Sequence, residues 1–234
     1  MSWTTFTAFL RKALGEKPGL AWLFVSLLLF LLSYPVISDM GSLSLDILFS
    51  AMLIAGAYAV SRQRKVLVIA IVLALPTLAL WWGVRVVYST PAVLVGLLFS
   101  TVFFLFILVV LLKNVAQSEQ ADTDIIYAAM SAYLLIGVTW SFFYALVEII
   151  TPGAFDFGSL GADAEFDAPH GELRLFSYYS LVTLSTLGYG DITPVTPLAR
   201  SLSAMEAVTG QLFIAVLLAR LVGLHIAQKK KPED

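Results

Sequence analysis

Residues 180–194 read SLVTLSTLGYGDITP, from Ser180 to Pro194. An apolar, helix-compatible run breaks here into Thr186-Leu187-Gly188-Tyr189-Gly190-Asp191, and a long apolar run resumes at Pro197. The helix-compatible stretch from Arg174 to Ser185 covers about 18 Å at about 1.5 Å per residue, too little for a hydrocarbon core of about 30 Å. Such a segment enters the bilayer halfway and stops. The backbone that follows must then be shielded by protein or water rather than lipid.

The rest of the chain fits that setting. Of 234 residues, 59% are hydrophobic and 13% charged, against about 45–50% and about 25% in soluble domains. The composition is that of a polytopic membrane protein. The net charge of −2 says little, because in membranes the placement of charge matters more than its sum. There is no cysteine, which excludes disulfides, iron–sulfur clusters and thiolate metal sites. The two histidines, His170 and His225, lie far apart and argue against a histidine-based metal or catalytic site.

Apolar runs occupy roughly 19–37, 43–60, 66–82, 91–112, 125–150 and 197–224, each long enough to cross as a helix. The expected fold is therefore all-α: six transmembrane helices plus one short re-entrant helix and its loop. Residues 1–18 form an N-terminal segment in which Trp3, Phe6, Leu10, Ala13 and Leu14 share a helical face. That pattern suits a helix lying on the membrane surface; a frayed tail is the alternative. Four spans fill 19–112, a linker 113–124, the re-entrant unit with its two flanking spans 125–228, and a short charged tail 229–234.

Orientation follows from the basic residues. Arg11, Lys12, Lys17, Arg62, Arg64, Lys65, Lys113, Lys229, Lys230 and Lys231 fall on one side, and Arg85, Arg174 and Arg200 on the other. Ten against three puts both termini in the cytoplasm of a multi-pass protein of the cell membrane. The acids Asp156, Asp163, Glu165, Asp167 and Glu172 cluster in the outer loop after the fifth span.

Gly188 and Gly190, spaced by one residue, permit an extended backbone whose successive carbonyls face one way, because glycine takes positive φ without a Cβ penalty. Stacked inward carbonyls replace the water around a dehydrated cation. One chain supplies one oxygen per layer, so an eight-oxygen cage needs four chains around an axis, a homotetramer. Thr186 adds its hydroxyl at the inner end. The short helix aims its negative C-terminal end at the axis, which favours a cation. A re-entrant turn or an exposed loop is the plain alternative for TLGYGD.

VTLSTLGYGD resembles the selectivity signature of potassium channels, and the chain is similar to bacterial six-span members of the voltage-gated-like ion-channel superfamily. The resemblance covers 125–224 in detail and 1–124 only as a four-span preface. It implies potassium ions held by Thr186, Leu187, Gly188, Tyr189 and Gly190, with Asp191 at the outer mouth and no other cofactor. Phe176-Ser177-Tyr178-Tyr179 resembles the aromatic start of the family's pore helix, and Val182 and Thr183 match a pair many voltage-gated members carry. Leu187 stands where valine is usual, and Tyr178 and Tyr179 replace a tryptophan pair, either hydroxyl being a candidate to reach the filter's outer end. Thr196-Pro197 gives an N-cap followed by proline, as expected at an inner-helix start. Gly210 follows Gly190 at the spacing of the family's hinge glycine, with close packing as the other reading. In voltage-gated relatives the fourth span carries repeated arginines; here Pro91–Leu112 contains no basic residue.

Further charges sit within or beside the spans. Glu148 stands where the family often has a glutamate bonded to backbone behind the filter, or it is an interfacial acid facing water. Glu206 lies deeper, and intramembrane acids are normally partnered; the candidates are a hydrogen bond to the short helix through Thr183 or Ser180, or a place in the ion path. Arg220 either snorkels to headgroups or shapes an inner gate.

The function expected is passive, potassium-selective conduction without steep voltage gating, with no enzyme activity, nucleic-acid partner or soluble ligand-binding domain. A poorly selective cation channel on the same scaffold is the first alternative. A secondary transporter would show paired repeats and broken helices in both halves. A membrane enzyme would need a nucleophile–base or metal constellation, and none is seen.

Overall fold

In the computed structural model the described residues are 18–36, 42–61, 63–120, 122–160 and 171–229. The surface helix expected before residue 18, the basic residues Arg11, Lys12, Lys17, Arg62, Lys230 and Lys231, and most of the outer acidic cluster lie outside them.

Seven α-helices and one short β-pair occur among the described residues. The helices are α1 (Pro18–Val36), α2 (Ser42–Ala59), α3 (Arg64–Val86), α4 (Thr90–Gln117), α5 (Thr123–Ile150), α6 (Gly171–Leu184) and α7 (Pro197–Lys229). Each apolar run became a helix, with ends close to those expected from hydropathy. Helices α3, α4, α5 and α7 are long and apolar enough to cross a membrane by length and composition. The described apolar stretches of α1 and α2 are shorter.

Local chemistry sets several of these boundaries. Asp122 caps α5 by accepting from the Ile125 amide at 2.8 Å, satisfying one of the orphan donors of a helix N-terminus. Thr196 does the same for α7 through the Ala199 amide at 3.3 Å, and Pro197 fills the first helical position.

Helix α4 packs along both α3 and α5, α1 along α2 and α5, and α6 against α5 and α7. The first four helices meet α5 through aromatic rings: Phe49 of α2 stacks on Trp81 of α3 at 3.7 Å, and Phe104 of α4 stacks on Phe142 of α5 at 5.6 Å. With lipid on the outside, this tight packing rather than water exclusion holds helices together. A second aromatic group, Tyr144, Phe155, Phe176 and Tyr179, fastens α5 and its following loop to α6.

Asp46 corrects the placement of Arg85. The sequence reading put Arg85 in the outer loop, but it occupies the last turn of α3 and forms an ion pair with Asp46 of α2. Asp46 is buried and also accepts from the Trp81 indole at 2.7 Å. A carboxylate removed from water requires such partners, and the helix lengthened by one turn to supply them.

Candidate ion-binding loop

Helix α6 ends at Leu184 and a turn at Ser185-Thr186 leads into an irregular stretch at 187–190. The turn is built on the free carbonyls that every helix C-terminus leaves. Ser185 N donates to Leu181 O at 3.0 Å, Thr186 N to Thr183 O at 2.9 Å, and Leu187 N to Val182 O at 2.9 Å. Val182 and Thr183, named from the sequence as filter supports, both accept from this turn through their backbone oxygens.

Within this loop φ is positive at Thr186 (59°), Gly188 (60°) and Gly190 (76°). Every second residue is left-handed. An ordinary strand points successive carbonyls to opposite sides; alternating the sign of φ turns them toward one side. Glycine adopts this freely, whereas a β-branched residue does so at a cost. Thr186 is the one non-glycine with positive φ among the described residues, a strained position of the kind that concentrates at functional sites. No carbonyl from Thr186 to Gly190 accepts a hydrogen bond from any described residue. All five residues are exposed in the single chain, so these acceptors are open to water or a ligand.

The loop's two ends are fastened differently. At its C-terminal end, the one expected to face outward, the Tyr178 hydroxyl donates to the Asp191 carboxylate, whose other oxygen accepts from the Ile192 amide at 3.0 Å. At the inner end the Gln211 side chain of α7 donates to the Thr186 hydroxyl at 3.3 Å. Of the two tyrosines proposed for the outer end, Tyr178 reaches it. Tyr179 instead meets Ser203 of α7, hydroxyl to hydroxyl, at 2.6 Å.

Glu148 bonds to backbone, accepting from the Gly153 amide at 2.6 Å and the Phe155 amide at 3.0 Å. Those residues lead into β1 (Phe155–Asp156), which pairs antiparallel with β2 (Thr193–Pro194) just beyond the loop. Glu148 therefore braces β1, the partner of the strand that leaves the loop, rather than the loop itself.

Glu206 is fully buried between three helices. It is bonded to Ser180 of α6, one of the two partners named from the sequence, and to Tyr144 of α5. Gly210 lies where a Cβ would strike the carbonyl oxygen of Leu184, so it is a close-approach position in an unbroken helix. Arg220 donates to the carbonyls of Val115 and Ser118 at 2.8 and 2.9 Å and to that of Ala116. These are among the free carbonyls at the end of α4, so Arg220 caps that helix from α7. Tyr144, Ser203, Gln211 and Asp46 were missed. An intramembrane acid signals that it needs a donor, but which facing helix supplies it is set by packing alone.

An ion-channel family matches residues 174–225, spanning α6, the loop, β2 and most of α7. The chain is similar to two pore potassium channel c of Oryza sativa subsp. japonica, 38% identical over 39% of this chain and 17% of that protein. It is also similar to the inward rectifier potassium channel Kirbac3.1 of Paramagnetospirillum magnetotacticum, 33% identical over 35% of this chain and 29% of the relative. Potassium channel K1 of Plasmodium berghei (strain Anka) is 46% identical over 25% of this chain and 3% of its own length. The chain thus spans less than a third of each of these relatives. No solved structure matches it significantly.

Proposed function

We propose that the chain is a subunit of a potassium-selective channel, conducting passively through a pore shared by four copies. The observation that carries this reading is the loop from Thr186 to Gly190, with φ positive at 186, 188 and 190 and carbonyls that no described residue bonds. Unpaired oxygens facing one side suit a dehydrated cation, and four such strands complete each cage. The likeness of part of the chain to three potassium channels, beside an ion-channel family match that covers the loop, supports potassium as that cation.

A tetramer is further supported by what one copy leaves bare. Leu187 and Tyr189 are 55% and 67% exposed, and α7 presents Val208, Leu212, Val216 and Leu218 outward. On this reading α5 to α7 form the pore, 125–228, and α1 to α4 a four-helix unit, 19–112, making six spans in a cell membrane with both termini cytoplasmic. Asp191 draws cations to the outer mouth.

Reconstitution into bilayers tests the function, with reversal potentials in mixed potassium and sodium. Selective potassium conduction, lost in Tyr189→Asp or Gly190→Ala, is expected. Sodium passing as readily as potassium would replace this reading with a weakly selective cation channel. Native mass measurement should give four copies; a functional dimer would refute the shared pore.

A further inference from the structure

We propose that Glu206 is held as a neutral acid, its proton completing a hydrogen-bond chain that ties α7 to α6 and α5. The inference comes from counting hydrogens. Two oxygen–oxygen contacts meet at this carboxyl, Tyr144 hydroxyl with Oε2 and Ser180 hydroxyl with Oε1, and Ser180 makes a third, with the Gly137 carbonyl at 2.7 Å. Tyr144 and Ser180 own one hydroxyl hydrogen each. The Gly137 oxygen only accepts, so Ser180 spends its hydrogen there. The contact between Ser180 and Oε1 then needs a hydrogen of its own, and Glu206 is the group that can carry it.

The surroundings agree. Glu206 has no exposed surface. The titratable groups near it are Tyr133 and Tyr144 of α5 and Tyr179 of α6, all neutral phenols, and Ser203 on its own helix adds only a hydroxyl. The ion pair found among the described residues is the distant Arg85–Asp46. An ionised carboxylate here would have no cationic partner among the described residues, the condition that makes buried charge expensive.

The proton does structural work. With it, Tyr144 donates to Glu206, Glu206 donates to Ser180, and Ser180 donates to Gly137, a directed chain across α5, α7, α6 and back to α5. Without it, the carboxylate takes the Ser180 hydrogen, and the tie from α6 to Gly137 is lost. That tie lies one turn before α6 ends at Leu184, so its bearing on conduction rests on the channel reading. Its existence does not.

Infrared difference spectroscopy of the purified protein at neutral pH tests the proposal without any need for conduction. A protonated-carboxyl C=O band, present in the wild type and lost in Glu206→Gln, is expected, because glutamine has no carboxyl; its carbonyl and NH₂ still offer the acceptor and the donor that the chain needs. A carboxylate stretch lost in its place would overturn the proposal. Should Glu206→Gln not fold, glutamate-labelled wild type and Tyr144→Phe give the same decision. The labelled protonated band must shift when the Tyr144 hydroxyl is removed, and an unmoved band refutes the assignment.

Discussion

Gly210 of α7 passes so close to Leu184 that a Cβ at position 210 would overlap the Leu184 carbonyl oxygen. The inner helix and the end of the short helix touch backbone to backbone at this point. Gly210→Ala would gain up to about 1 kcal/mol in helix propensity but incur about 1–3 kcal/mol of overpacking. A lower melting temperature is expected. A change in open probability in that variant therefore reports packing as much as flexing. A variant at least as stable as wild type would show that α7 can move off Leu184 at little cost.

Tyr178 and Tyr179 are neighbours with different partners, and their phenylalanine variants should separate. Tyr178→Phe removes the donor to Asp191 and should weaken ion discrimination at the outer end. Tyr179→Phe removes the contact with Ser203 and should loosen α6 from α7 with selectivity retained. A double-mutant cycle of Tyr178→Phe with Asp191→Asn should give about 1–3 kcal/mol of coupling, as for a bond to a charged group. Coupling near zero would remove the outer-end brace.

How far these relationships could be read beforehand depends on their range in the sequence. The apolar runs were legible because a helix crossing lipid must hide its backbone and shows this in every residue. The loop was legible because Gly188 and Gly190 announce an unusual backbone within five positions. Arg85 was misplaced because helix α3 runs on by one turn, to Val86, where it meets Asp46, an acid the sequence did not single out. Arg220 and its partner Val115 stand 105 residues apart, and no local pattern links them. Gly210 stood out by its spacing from Gly190, but its contact with Leu184 depends on how two helices cross.

Glu172, in the first turn of α6 and outside the spanning helices, has its carboxyl pushed above the usual carboxylate range by burial and, secondly, by the charge of Glu148. The folded protein therefore holds this proton more tightly than the unfolded chain. Glu172's contribution is fully present below the ordinary carboxylate value and is lost as pH rises through the raised one. Glu172→Gln should flatten the fall of melting temperature over that mildly acidic window. An unchanged pH profile would show that Glu172 ionises as it does in water.

Voltage dependence is the sharpest prediction, because the fourth apolar run lacks basic residues and both Arg85 and Arg220 are fastened. Moving one charge across the membrane supplies about 2.3 kcal/mol per 100 mV, so steep gating needs several charges that travel. Residues 91–112 of α4 carry no basic side chain. Arg85 is held to α2 by Asp46, and Arg220 is spent on the carbonyls that end α4. Neither can move far without breaking its bonds. The conductance–voltage curve should be shallow, with Arg85→Gln leaving its slope unchanged. That substitution should still lower thermal stability by about 1–3 kcal/mol, since Asp46 is left buried and short of a partner. A curve requiring several gating charges per channel would mean that α4 or Arg85 moves in the field, and the ion pair with Asp46 would have to open on every transition.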